Sequence, residues 1–198
     1  MKGILILIFS FIILYLLSKY TDLAPVSNVN DRFEYIPILT ANIYADLLII
    51  FITFTKLIGN EKSWDVLGGW YKKYRLSAMM ADILIGVTYL LIARYMVGYF
   101  NLNLDLFQFG ILAVIVQIFF DFCFYLTFIS IPKGVNDMLD YFKVWAKNAE
   151  ADALWGDSIL VIFAVILSSY LNKQSFDFNI FNLILAVYQI PYFIYMKD

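Results

Sequence analysis

The chain has 198 residues, 63% hydrophobic and 15% charged, with a net charge of −2 and a mean hydropathy of +0.78. A soluble domain carries roughly 25% charge; this chain has too little polar material to cover a surface in water, and its charge balance excludes a basic nucleic-acid-binding protein. With no histidine and a single cysteine, Cys123, it excludes an internal disulfide, a CxxC pair, Ser-His and Cys-His catalysis, histidine-ligated haem and most zinc or non-haem iron sites.

A bilayer core takes about 20 mostly apolar helical residues per crossing, and open strands cannot cross it. The sequence therefore predicts an all-α fold, a polytopic membrane bundle of six transmembrane helices in a single domain over 1–198. The spans fall near 3–17, 39–58, 76–100, 106–131, 155–171 and 178–196, with a cytoplasmic-side amphipathic interfacial helix near 134–153.

Span one begins with a lysine and an apolar run, like a signal peptide. "SKYTDLAPVSN" offers no small-x-small cleavage pattern, so a retained anchor is expected. Its only early polar residue is Ser10, which predicts a helix peripheral to the bundle, in lipid. Span two follows Pro37 and carries Asn42, Asp46, Thr53 and Lys56. The next stretch, "NEKSWDVLGGWYKKYR", reads as a basic, aromatic loop broken at Gly68-Gly69 whose lysines enforce topology. Span three carries Asp82, Gly86, Tyr89, Ala93 and Arg94.

Span four places Ala113, Gln117, Asp121 and Tyr125 at strict i, i+4 steps, which is one helix face. Phe119, Phe120, Phe122 and Phe124 take the others, and Pro132 ends the span. "SIPKGVNDMLDYFKVWAKNAEADALW" has Val135, Met138, Leu139, Phe142, Ala146, Ala149 and Ala153 at helical spacing, opposite Asp137, Asp140, Lys143, Lys147, Glu150 and Asp152. It reads either as a helix in the inner interface or as a hairpin helix packed on the bundle. Span five carries Asp157, Ala164 and Ser168. Span six carries Asn179, Asn182, Ala186 and Gln189, with an expected kink at Pro191.

Six spans put both termini on one side, and that side receives ten of the fourteen lysines and arginines; Lys19, Arg32, Arg94 and Lys173 fall on the other. The termini are therefore expected in the cytoplasm, or in the virion interior if the protein is packaged. All four tryptophans fall near the same face.

Polar groups in a span are expected to face protein or a cavity. In the antiparallel hairpin of spans two and three, near-equal sums of residue numbers set Asp46 level with Arg94 and Lys56 level with Asp82. Both are expected as buried ion pairs. Asp121 and Asp157 then lack a basic partner and, with Asp82, converge on the inner half of the bundle. Asp121 is expected to be a neutral acid hydrogen-bonded to Gln117, Tyr125 or a neighbouring helix. Asp157 either joins the cluster or caps span five. "YADLLIIF" and "WGDSILVIF", three spans apart, form a faint inverted repeat of the kind found in small transporters.

The block "FDFCFYLTFISIPKGVNDMLDYFKVWAKNAEADALWGDSILVIFAVILSSYL" and the later "YQIPYFIY" resemble a family of uncharacterised multispan membrane proteins of large DNA viruses of algae and protists. The resemblance covers the C-terminal half. It implies a viral internal or factory membrane and brings no active residues. The leading expectation is a non-enzymatic structural or scaffolding protein with no cofactor and no metal. Its partners would be the bilayer, further copies of itself or other virion membrane and capsid proteins, and not nucleic acid. The alternative is a small proton or cation channel or transporter using Asp82, Asp121 and Asp157. A third reading, from "WGD", is an intramembrane aspartyl protease of the GxGD type, although Leu154 stands where the first glycine of that motif belongs.

Overall fold

A computed structural model describes residues 2–57 and 61–196, with side-chain surroundings for all of these except 2, 61–63 and 147–154. Helix α1 spans Lys2–Tyr20, and a 3₁₀ turn at Arg32–Glu34 leads into α2, Tyr35–Thr55. Then come α3, Glu61–Tyr74; α4, Leu76–Tyr99; α5, Leu106–Ser130; α6, Asp137–Asn172; and α7, Phe176–Ile194. All but α3 contain a stretch long and apolar enough to cross a membrane, so the chain is an all-α, multi-pass membrane protein with six such spans among the described residues.

Local chemistry sets the helix ends. Asp105 and Gln108 form a reciprocal capping box at the start of α5. Asn136 accepts from Met138 and Leu139 N–H to start α6, and Ser175 accepts from Phe178 N–H to start α7. Pro37 sits in the first turn of α2, where its missing N–H costs nothing. Helix α7 runs on through Pro191 to Ile194.

Helices α2 and α6 form the centre of the bundle. Helix α2 packs on α3, α4, α6 and α7, and α6 packs on α1, α2, α3, α4 and α5. Small residues let these helices approach. Gly86 of α4 leaves no room for a Cβ against Asn42 of α2, and Gly110 of α5 leaves none against Leu14 of α1. Leu14 is fully buried there, so α1 is docked on α5 and α6 instead of standing apart in lipid. Of the six spans, α1 and α7 are the least enclosed and α2 the most. Helix α7 leans chiefly on α2, so the bundle has two outlying helices where the polar stripes suggested one.

Two segments differ from the expectation at larger scale. The loop expected at Gly68-Gly69 is helix α3, which continues through both glycines and buries Trp70 and Tyr71. Glycine weakens an isolated helix by only about 1 kcal/mol, and here packing outweighs it: Gly69 sits directly beneath the Tyr141 hydroxyl. The expected interfacial helix is also helical, but it is the first part of α6, continuous with span five. Its Met138, Tyr141 and Phe142 pack on the core around Trp70, as in the hairpin-helix alternative. Lys2, Ile58, Lys62, Lys147, Ala149, Glu150, Asp152, Ala153, Leu154 and Lys197, which also figured in the sequence reading, lie outside the residues described in this detail.

Candidate intramembrane acid site

Four aspartates, each on a different helix, gather in the half of the bundle nearest α3. The span order places Asp46 late in α2, Asp82 early in α4, Asp121 late in α5 and Asp157 at the start of the apolar part of α6. Helix α3 lies across the end of α2 and α4, and its aromatic side chains enter the site. The Tyr71 hydroxyl is 2.7 Å from Asp46 Oδ1 and 2.9 Å from Asp82 Oδ2. Trp70 Nε1–H donates to that same Asp82 oxygen at 2.9 Å. A phenol has one proton, so it donates to one of the two carboxyl groups and accepts a proton from the other. Asp82 already receives Trp70, which fits an order in which Asp46 donates to Tyr71 and Tyr71 donates to Asp82. Burial, reinforced by the two nearby carboxylates, pushes the Tyr71 phenol well above its usual pKa, so it remains a donor.

A second chain of bonds meets Asp121. The Tyr89 hydroxyl donates to Oδ1 at 2.5 Å, and Gln117 Nε2–H donates to Oδ2. Gln117 Oε1 in turn accepts from the Ser158 hydroxyl at 2.8 Å. Helices α4, α5 and α6 are thereby tied at one depth. Asp157 interacts electrostatically with Asp121 and Asp82, and Tyr89 with Asp121, Asp157 and Asp82, so the two bonded groups form one polar island. Asp157 lies well inside α6 and does not cap it. Among the described residues no three His, Cys, Asp or Glu side chains are arranged to hold a metal ion. Carboxyl and phenol oxygens at hydrogen-bond distance can pass a proton between them.

The expected ion pairs do not form. Arg94 turns away from Asp46 and pairs with Glu34, Nε to Oε2 at 3.0 Å, in a contact that is ionic without the alignment of a hydrogen bond. Its Nη2 donates to the carbonyls of Asn28 and Asp31, and its guanidinium lies 4.7 Å from the centre of the Tyr35 ring. Glu34 also accepts from Asn28 N–H at 3.1 Å. For Asp46 neither depth nor azimuth matched the expectation: it shares the Tyr71 hydroxyl with Asp82, while Arg94 lies twelve residues further along α4, about 18 Å and about 120° of helix turn away. Lys56 does not reach Asp82. It is exposed and closes α2 in a left-handed conformation with φ 54°. Tyr125 does not reach Asp121; it is 42% exposed and meets Phe128 edge-on. Phe119, Phe122 and Phe124 point outward as expected, and Phe120 packs on Tyr89.

Sequence reasoning brought Asp82, Asp121 and Asp157 together with Gln117 and set Asp46 apart with Arg94; it missed Tyr71, Trp70 and Ser158 as partners in the island and Glu34 as the partner of Arg94. The aromatic pair Trp70-Tyr71, on the same segment as Val66 and Leu67, was the available signal for an inserted helix. Comparison with protein-family models, with curated proteins and with solved structures returns no match.

Proposed function

We propose that this multi-pass membrane protein exchanges protons at the aspartate island, as a small proton-conducting or proton-coupled transporter. The carrying observation is the single Tyr71 hydroxyl between Asp46 and Asp82, which requires a proton to be shared among three oxygen groups. Ionisable groups in a span are costly and are functional by default. The two basic residues expected to balance them do not: Arg94 is engaged with Glu34 and Lys56 is exposed. Asp46 Oδ2 is buried with no hydrogen-bond partner, an acceptor open to a proton or a water. The lysine and arginine bias supports a cytoplasmic, or virion-interior, position for the α3 end.

One observation favours the other reading, a scaffold in a viral or factory membrane. Between the island and Arg94, the bundle is closed by Leu90, Ala93, Ala113, Ile162 and Val165, all inaccessible or nearly so. A transporter must open this apolar layer, whereas a scaffold keeps it shut. Proteoliposomes carrying an internal pH dye, with a potassium-diffusion potential imposed, separate the two. Proton entry well above that of empty liposomes, lost in Asp82→Asn and Asp121→Asn, supports proton transport. Entry equal to empty liposomes removes it and leaves the scaffold.

A further inference from the structure

Helix α3 supplies Tyr71 and Trp70 to the acid island, and a single residue joins it to α4. That residue, Arg75, has φ 49° and ψ −124°. Only glycine takes up this backbone conformation freely, and it is strained for any other residue. The helical bonding runs through the joint: Arg75 N–H donates to Tyr71 O at 2.9 Å, and Arg75 O accepts from Met79 N–H at 3.2 Å. The bend is therefore one residue wide. The far end of the chain holds it. Arg75 Nη1–H donates to the carbonyl of Ile194, the last residue of α7, at 2.8 Å, and the guanidinium lies 5.1 Å from the centre of the Tyr195 ring. The opposite flank of α3 is clasped by α6, where the Tyr141 hydroxyl donates to Val66 O at 2.5 Å and the Tyr74 hydroxyl donates to Asp137 O at 2.6 Å.

We propose that α3 is a lid on the aspartate island, turning at Arg75 and latched shut by the C-terminal end of α7. What the lid controls rests on the proton-exchange reading; the hinge and the latch stand on the backbone and its contacts. Shut, Tyr71 and Trp70 fill the space beside Asp46 and Asp82. Swung away, α3 leaves those carboxylates facing the aqueous phase on its own side. The strain at Arg75 exists only in the bent, shut form, so removing the latch while keeping the strain favours opening.

Spin labels report the motion without touching the island. Asp65→Cys lies on the exposed face of α3 and Ile129→Cys on the exposed end of α5; the pair is placed in a Cys123→Ser background of the full chain in nanodiscs. Electron–electron resonance of this parent is expected to give one distance. Arg75→Ala, which loses the latch and keeps the strain, is expected to add a longer distance, with the open fraction rising about tenfold, as the loss of one charge-assisted hydrogen bond would give. Arg75→Gly loses latch and strain together and is expected to rise less. Should Arg75→Ala fail to fold, Tyr195→Ala tests the latch from its other side and is expected to move the same way. An unchanged distance in the latch variants, or an equal rise in Arg75→Ala and Arg75→Gly, overturns the lid. The readout contains no flux: a lid that opens in a protein that moves no protons strikes the transport reading and leaves the lid standing.

Discussion

The two ends of the bundle bury charge in opposite ways. Near the α1–α2 connection, Arg94 and Glu34 are 2% and 3% exposed and face each other, with two loop carbonyls accepting from Arg94 Nη2. Near α3, Asp46, Asp82 and Asp121 share tyrosine, tryptophan and glutamine donors, with Asp157 close to them. The first arrangement is a matched pair and is tolerable only while both partners remain. The second can be neutralised with protons taken from water, so no single member is indispensable to folding. The difference teaches that buried charge matched residue for residue locks two segments together, whereas carboxyl groups matched by hydrogen-bond donors keep a choice of where the proton sits.

The sharpest way to break this comparison is to remove one member of the outer pair. Arg94→Gln is expected to cost about 3–5 kcal/mol by stranding Glu34, with Glu34→Gln in the same chain restoring part of the loss. Thermal unfolding in detergent reads the cycle, and additive single effects would show that the pair is not coupled. The matching cycle between Asp46 and Arg94 is expected to show no coupling.

Tyr71→Phe comes next, at about 1–3 kcal/mol, because it leaves two buried carboxyls facing an apolar ring. The same residue sets a pH signature. Its phenol is raised in the folded protein, so the unfolded chain ionises first. The stabilisation is complete below the unfolded value of about 10 and is lost as pH rises beyond it. Melts taken above about pH 10 should fall less steeply in Tyr71→Phe than in the parent.

Asp46→Asn sharpens the contrast from the other side. An amide can still donate toward Tyr71, so the change is expected to cost under about 1 kcal/mol, far less than Arg94→Gln. A loss as large as that of Arg94→Gln would mean that the inner island is as rigidly ionic as the outer pair. The smallest effect belongs to the rim, where Lys173 pairs with an exposed Asp22. Lys173→Ala is expected to melt like the parent at physiological salt.

Much of this architecture was legible in the chain. Six apolar runs with the right lengths dictate six helices, because a backbone in lipid must bond to itself. The i, i+4 row Ala113–Gln117–Asp121 correctly faced the interior, whereas Asp46, expected level with Arg94, lies beside Asp82. The partners were less legible. Tyr125 continues the row in sequence, but Tyr89 from α4 holds Asp121, because neighbouring-helix geometry and not spacing along α5 decides which hydroxyl is near.

By itself, then, the sequence determined the solvent, the number of crossings and the inward row Ala113–Gln117–Asp121, since hydropathy and helical period are properties of a single segment. Only the tertiary structure decided that α3 is a helix inserted over the aspartates, that Arg94 answers to Glu34 and that α1 docks through Leu14 against Gly110. These depend on how helices are rotated about their axes and on how a connection folds back. Such choices are set by side-chain packing between segments far apart in the chain, and no single segment encodes them.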